Sequence, residues 1–178
     1  PMEPRAAVAA WSDGRLTAWL PVQSPARARD DLALALGLDK AAVRVVTPDV
    51  GGAFGGKATV GAEELLVAWA ARHLGATVQW TATRSEDFAF ATQGRGARLE
   101  GSLGLDADGR FTRLTARLAF PLGCWLPYSA AMPVRNAARI LPGPYRVAAV
   151  DIDAEGVQSD TAPVNIYRGA GRPEAALL

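Results

Sequence analysis

The sequence predicts an α+β fold, a mixed sheet with packed helices, on three observations. Stretches 25–36 and 61–74 carry apolar residues at helical spacing between cap signals. Short apolar or β-branched runs recur at 5–22, 43–46 and 78–83. From 98 to 120 strict alternation continues around Asp106-Ala107-Asp108-Gly109, a long-hairpin signal.

Each element has a local cause. Ser12-Asp13-Gly14-Arg15 supplies turn chemistry between two apolar runs, so 5–22 reads as a hairpin. Ser24-Pro25 gives an N-cap and first-turn proline, Ala28, Leu32, Ala35 and Leu36 share a face, and Gly37 ends the helix. The strand at 43–46 is stopped by Thr47-Pro48 and delivers the chain into a glycine-rich loop. In the 61–74 helix, Glu63 and Glu64 open the first turn and Arg72 and His73 close the last, matching the helix dipole at both ends. His73 is therefore read as a partner of that dipole. Residues 78–83 read as a strand, 84–92 as a short helical turn, and Gln93-Gly94-Arg95-Gly96 as a break. Five prolines between 121 and 146 predict a segment that wanders over the surface or lines a cleft. A further strand is expected at 147–157 and a loop at 165–172. One unit spanning 1–178, with a candidate division into lobes 1–84 and 85–178, accommodates all of these.

Composition narrows the function classes. The chain has 178 residues, 49% hydrophobic and 21% charged, with 19 Lys and Arg against 18 Asp and Glu. That is enough to bury roughly 70% of the unfolded surface without a staple. Of the cations only Lys40 and Lys57 are lysine, and no basic block interleaves with aromatics, which argues against a nucleic-acid partner. No apolar run approaches the roughly 20 residues a membrane span needs. The opening Pro1-Met2-Glu3-Pro4-Arg5 resembles no signal segment and reads as mid-protein. A lone Cys124 and the lack of a Cys/His cluster fit a reducing, cytoplasmic compartment and exclude a zinc site. Cys124, in Gly123-Cys124-Trp125, is expected to be a buried structural thiol.

Two loops invite chemistry. Asp49 to Lys57 holds four glycines in nine residues, although each costs about 0.5–1 kcal/mol of backbone entropy. Bare amides approach an anion or ring closely, so Gly51, Gly52, Ala53, Phe54 and Gly55 are candidate binding residues. Phe54 is either a plug in the core or a wedge beside a ligand, and a plain strand-to-helix turn stays open for the loop as a whole. Gly51-x-x-x-x-Gly56-Lys57 also matches all but the last position of a phosphate-binding P-loop. Ala58 stands where the magnesium-binding hydroxyl belongs, Thr59 is one place late, and Asp151 is the weak candidate for a metal aspartate. The second loop, Tyr167-Arg168-Gly169-Ala170-Gly171-Arg172, pairs arginines with glycines and can present amides and a guanidinium to an anion, while spacing alone favours Arg168 as a surface arginine beside a turn.

In order along the chain, Pro1-Met2-Glu3-Pro4-Arg5, Val50-Gly51-Gly52-Ala53-Phe54-Gly55-Gly56-Lys57, Glu63-Glu64-Leu65, Leu141-Pro142-Gly143-Pro144-Tyr145 and Tyr167-Arg168-Gly169-Ala170-Gly171-Arg172-Pro173-Glu174 make a recognisable set. Together they resemble the large, molybdenum-binding subunit of the xanthine dehydrogenase, aldehyde oxidase and carbon monoxide dehydrogenase family. The resemblance implies the first part of the molybdenum-cofactor-binding region. It implies a molybdopterin cofactor with molybdenum, often a dinucleotide, with the cytosine dinucleotide as a candidate form. Such a cofactor hydroxylates a carbon next to oxygen or nitrogen with oxygen from water, and two electrons leave through iron–sulfur clusters and FAD held on other domains or subunits.

By the same resemblance, Gln23 matches the glutamine whose amide bonds a molybdenum oxo ligand. Phe54 and Gly55 match the pair beside the metal, the Gly55 amide aimed at the apical ligand. Arg168, Gly169 and Ala170 match the opposite wall, where backbone amides meet the cofactor. No protein group is expected to bind the metal directly. Gly169 stands where the carbon monoxide branch has a cysteine, which disfavours that branch. Ala58 and Ala170 stand where purine-hydroxylating members place a glutamate and a phenylalanine. Those departures, with Arg168-Gly169-Ala170, lean toward the aldehyde-oxidase-like branch and an aldehyde or small N-heterocycle as substrate. The family's base lies far downstream of residue 178, and Glu63, Glu64 and Glu174 are sufficiently explained as helix-terminal carboxylates. The chain therefore reads as a fragment that folds, binds cofactor weakly if at all and does not turn over alone, completed by the remainder of the subunit. The alternative is a scaffold whose natural surface is covered by its partners. An apolar patch around Trp125, Leu126, Tyr128 and Met132 would mark it.

Overall fold

A computed structural model describes all 178 residues, as two units, Pro1–Ala91 and Thr92–Leu178. In the first, strands β1 (Ala6–Ser12) and β2 (Arg15–Trp19) form the expected hairpin. Its two-residue turn puts both Asp13 (φ 51°) and Gly14 (φ 73°) in the left-handed region, whose twist matches that of paired strands. Helix α1 (Pro25–Leu36) then carries the chain to β3 (Val43–Val46), which lies parallel to β2, as a crossover requires. Ser24 caps α1 by accepting from the Arg27 amide, and Gly37 closes it with φ 62°. Helix α2 (Ala62–Leu74) leads into β4 (Val78–Thr81), which pairs antiparallel with β1 and completes a sheet of order β3-β2-β1-β4. Ala7, Ala9 and Ala18 keep the sheet low, so Leu16, Leu20, Leu32 and Ala68 pack to near-zero exposure, with Val67 buried beside them. Each leucine so buried contributes about 1.5–3 kcal/mol. His73 lies in the last turn of α2 and stacks on Trp69, ring centroids 5.0 Å apart. Helix α3 (Arg84–Phe90) ends the unit, capped by Thr83 and Glu86 in a reciprocal box.

The second unit is built on β5 (Arg98–Leu105), β6 (Phe111–Gly123) and β7 (Ala149–Gln158), in that order. The β5–β6 hairpin is antiparallel, and its turn is held by Asp106, whose Oδ1 accepts the Asp108 and Arg110 amides at 2.9 Å. Strand β7 returns parallel to β6 after helix α4 (Met132–Ile140), and α5 (Arg172–Leu177) closes the unit. Ala116, Leu118 and Phe120 face Ala137 and Ala175 across the core. The alternate residues Glu100, Arg117 and Asp153 stand opposite one another in register on exposed strand positions.

Two expectations are corrected. Residues 121–146 do not simply wander: β6 runs on to Gly123 and α4 forms within them. Pro133 sits in the first turn of α4, where its missing N–H costs nothing, so counting prolines as breakers hid the helix. Cys124 is exposed, not buried. Gly123 turns the chain at φ 80°, against a backbone that leaves no room for a Cβ, and the next side chain faces outward. No helix is long and apolar enough to cross a membrane.

Candidate functional site

The glycine-rich loop is shaped by residues far from it in sequence. Gly56 donates to the Ala53 carbonyl at 2.8 Å and Ala58 to Gly55 at 3.1 Å, giving two tight turns in succession. The first puts its two central residues, Phe54 (φ 50°) and Gly55 (φ 99°), in the left-handed region, and Gly52 (φ 103°), just before it, is left-handed as well. A Cβ on Gly52 would stand 2.8 Å from the Phe54 ring, so glycine there is enforced twice. Phe54 is half-exposed, which removes the core-plug reading.

Beneath this loop lie two ion pairs. Glu3 Oε2 accepts the Gly51 amide at 3.0 Å and Lys57 Nζ at 2.6 Å. Lys57 is 2% exposed, so its ammonium is committed to that carboxylate. Arg5 donates to both oxygens of the buried Glu64 at 3.0 Å, and also to the carbonyls of Gly56 (3.0 Å) and Thr59 (2.8 Å). Glu64 in turn takes the Gly61 amide at the start of α2. The P-loop reading fails on this geometry: the lysine is turned inward onto Glu3, and α2 starts only at Ala62.

Lys57 lowers the Glu3 carboxyl below its ordinary 4.5, against the opposing effect of burial, with help from the Gly51 amide. A depressed carboxylate stabilises the fold above its unfolded pKa and loses that contribution as pH falls through the folded value. Melting temperatures measured below pH 4.5 should therefore fall less steeply for Glu3→Gln than for the parent chain. Parallel curves would remove Glu3 from the acid response.

Gln23 is brought to this loop. Its backbone amide donates to the Lys57 carbonyl at 3.0 Å, and its side-chain Oε1 accepts the Gly55 amide at 2.9 Å. The oxygen is thereby assigned, and the exposed Nε2 amine is left as an outward donor. The Gly55 amide, which the resemblance aims at the apical ligand, here donates to Gln23. The Gly52 and Ala53 amides have no acceptor in the chain.

The other sequence-predicted residues, Arg168, Gly169 and Ala170, lie in the second unit. There Ala170 (φ 44°) donates to the Tyr167 carbonyl at 2.9 Å, so this amide too has a protein acceptor. Asn136 on α4 donates to the Ala170 carbonyl at 3.0 Å. Arg95 organises the turn from outside the motif: it reaches the carbonyls of Tyr167 (3.3 Å) and Arg168 (2.6 Å), lies 4.9 Å over the Tyr167 ring, and pairs with the buried Glu174 at 3.2 Å. Sequence reasoning gave no role to Arg95, nor to Glu3 and Arg5, which it quoted only as part of the first resembling motif. For Arg95 the sole signal was its place in a Gly-x-Gly break.

No group of three His, Cys, Asp or Glu could hold a metal ion. Around Gln23 the donors are neutral amides and glycine backbone, and Lys57 and Arg5 beneath the loop are paired with Glu3 and Glu64. That set suits an anionic oxygen on a metal that brings its own chelator, the chemistry of a pterin-bound molybdenum. The chain belongs to the molybdopterin cofactor-binding domain family, whose model matches residues 1–178.

Among its relatives is the nicotine 6-hydroxylase large subunit of Paenarthrobacter nicotinovorans, 31% identical over 176 residues, 96% of this chain and 22% of that protein. The 6-hydroxypseudooxynicotine dehydrogenase complex subunit gamma of the same organism is 34% identical over 178 residues, with 98% and 22% covered. Quinoline 2-oxidoreductase from Pseudomonas putida 86 superposes with a TM-score of 0.88 at 36% identity, over 96% of this chain and 22% of that one. The carbon monoxide dehydrogenase of Oligotropha carboxidovorans gives 0.87 at 26%, over 98% and 22%. The chain thus spans 22% of the length of the two Paenarthrobacter relatives.

Proposed function

We propose that this chain supplies part of the molybdopterin cradle of a molybdenum hydroxylase, with Gln23 as its donor to an oxygen ligand of the metal. The observation that carries this is the Gly55 N–H···Oε1 bond, which turns the Gln23 amine outward from a neutral, glycine-lined loop. When bound, the cofactor supplies oxidative hydroxylation of a carbon next to nitrogen or oxygen, with water as oxygen source. Gln23 Nε2 would hold an anionic oxygen without titrating, and Phe54 would wall the loop beside it. The Gly52 and Ala53 amides are further donors for the cofactor. Gly51 and Gly55 act indirectly, through Glu3 and Gln23. Arg168, Gly169 and Ala170 would form a second contact, set by Arg95. The cytosine dinucleotide is the proposed cofactor form, iron–sulfur and flavin components on other domains or subunits are the proposed electron acceptors, and the cytoplasm is the proposed location.

For the substrate we infer an N-heteroaromatic ring ahead of an aldehyde. The names of the nicotine and quinoline enzymes state such rings for those relatives. Here Ala58 and Ala170 offer neither a carboxylate nor an aromatic face to a purine.

Molybdenum and organic phosphate should be near-stoichiometric in the full subunit purified from its host, and far lower in the 178-residue chain, which should show no turnover. In the full subunit, Gln23→Ala should lower kcat for the N-heterocycle with protein yield unchanged. A full subunit without molybdenum overturns the reading. A scaffold role is the second reading, favoured by the exposure of Trp125, Leu126 and Tyr128, with Met132 half-buried beside them. Concentration-dependent self-association, lost on Trp125→Ser, would support it.

A further inference from the structure

The first unit's N-terminal segment closes the glycine loop from below, at both ends. Glu3 Oε2 takes the Gly51 amide where the loop begins and the Lys57 ammonium where it finishes. The contact is close-packed as well as charged: a Cβ on Gly51 would stand 2.7 Å from Glu3 Cβ. Two residues on, Arg5 takes the carbonyls of Gly56 and Thr59 while Glu64 fixes its guanidinium. Segment 51–57 is thus a span of set width, in which the successive turns at Ala53–Gly56 and Gly55–Ala58 leave the Gly55 amide one direction. That amide meets Gln23 Oε1, and the Lys57 carbonyl meets the Gln23 backbone amide. Both the main chain and the side chain of Gln23 are therefore held by the segment that Glu3 closes.

We propose that Glu3, acting through Lys57 and Gly51, is a positioning residue for Gln23: it holds the glycine loop at the width that seats the Gly55 amide on Oε1 and keeps the Gln23 amine facing outward. The consequence for cofactor binding rests on the function proposed above; the positioning itself does not. Nothing near Glu3 or Gln23 in sequence links them, and Glu3 needs no contact with cofactor or substrate to act. Its charge matters because Lys57 is buried and has this carboxylate as its counter-ion. Its length matters because one oxygen serves both donors.

The test reads Gln23 directly. In amide hydrogen exchange and side-chain NH2 NMR on the 178-residue chain, Glu3→Ala should speed Gly55 exchange by about tenfold or more and collapse the two Gln23 NH2 resonances toward free-glutamine values. Exchange in β1 and β2, at Ala9 and Ala18, should stay unchanged. Glu3→Gln, which keeps an acceptor for Gly51 but loses the ion pair, should fall between. If Glu3→Ala fails to fold, the double variant Glu3→Gln/Lys57→Met removes the buried charge together with its partner, and the same two signals decide. Parent-like Gly55 and Gln23 signals, with only Gly51 exchange raised, would overturn the proposal. Molybdenum content of the full subunit separates the two readings. A metal-free parent subunit defeats the proposed function alone, whereas a metal-loaded one with Gln23 indifferent to Glu3 defeats the positioning role alone.

Discussion

Replacing Glu64 with alanine is expected to cost the first unit about 3–5 kcal/mol, the penalty for leaving one member of a buried ion pair alone. The Glu64 side chain is wholly buried and that of Arg5 is 11% exposed, so little solvent screens the orphaned guanidinium. Arg5 also carries the carbonyls of Gly56 and Thr59, so the loss should reach the loop and not only α2. The urea midpoint of the first unit should fall with an unchanged slope, followed by fluorescence in a Trp125→Phe background, where the remaining tryptophans all lie in that unit. Glu64→Gln, which keeps one acceptor for the guanidinium, should lose less. A parent-like midpoint for Glu64→Ala would mean that Arg5 finds solvent by rearrangement. On the exposed sheet positions of the second unit, Arg98 and Glu100 are 82% and 57% exposed, and losing that pair should cost under about 1 kcal/mol.

How far the sequence went follows from the range over which each residue acts. Helices α1 and α2 and both hairpins were legible because their signals are local: Ser24-Pro25 before Gly37, Glu63-Glu64 before Gly75, Asp13-Gly14 and Asp106 to Gly109 in their turns. Helix α4 was not, because Pro133 resembles a breaker until its place in the first turn is known. The site divides in the same way. Four glycines between Asp49 and Lys57 announced the loop, and the order of five motifs supplied Gln23 by resemblance. The roles of Glu3 and Arg5, although both stand in one of those motifs, and of Arg95 stayed hidden because each works across the fold, 48 residues from Gly51, 59 from Glu64 and 73 from Arg168. An isolated Glu or Arg has no local pattern to betray such a partner. The two amides that the resemblance assigned to the cofactor, at Gly55 and Ala170, have protein acceptors in this structure, Gln23 Oε1 and the Tyr167 carbonyl.

Gly171→Ala should be the most damaging single-methyl change in the second unit, at about 2–5 kcal/mol from a left-handed backbone and an overpacked contact together. The backbone there has φ 92°, and the added Cβ would stand 2.1 Å from the Pro133 carbonyl oxygen and 2.9 Å from the Ala137 nitrogen, both backbone atoms of α4. Neither can swing away as a flexible side chain would. Gly109→Ala supplies the control, since its φ is 76° and nothing lies within 4 Å of the added methyl. It bears the conformational penalty alone, so the difference between the two melting temperatures isolates the collision. Equal losses would show that α4 yields without cost and that backbone conformation decides both. The collision matters to the site because Asn136 on the same helix holds the Ala170 carbonyl. A shift of α4 away from residue 171 carries that anchor with it, so Gly171→Ala should also raise exchange at the Ala170 amide, and Gly109→Ala should leave it alone.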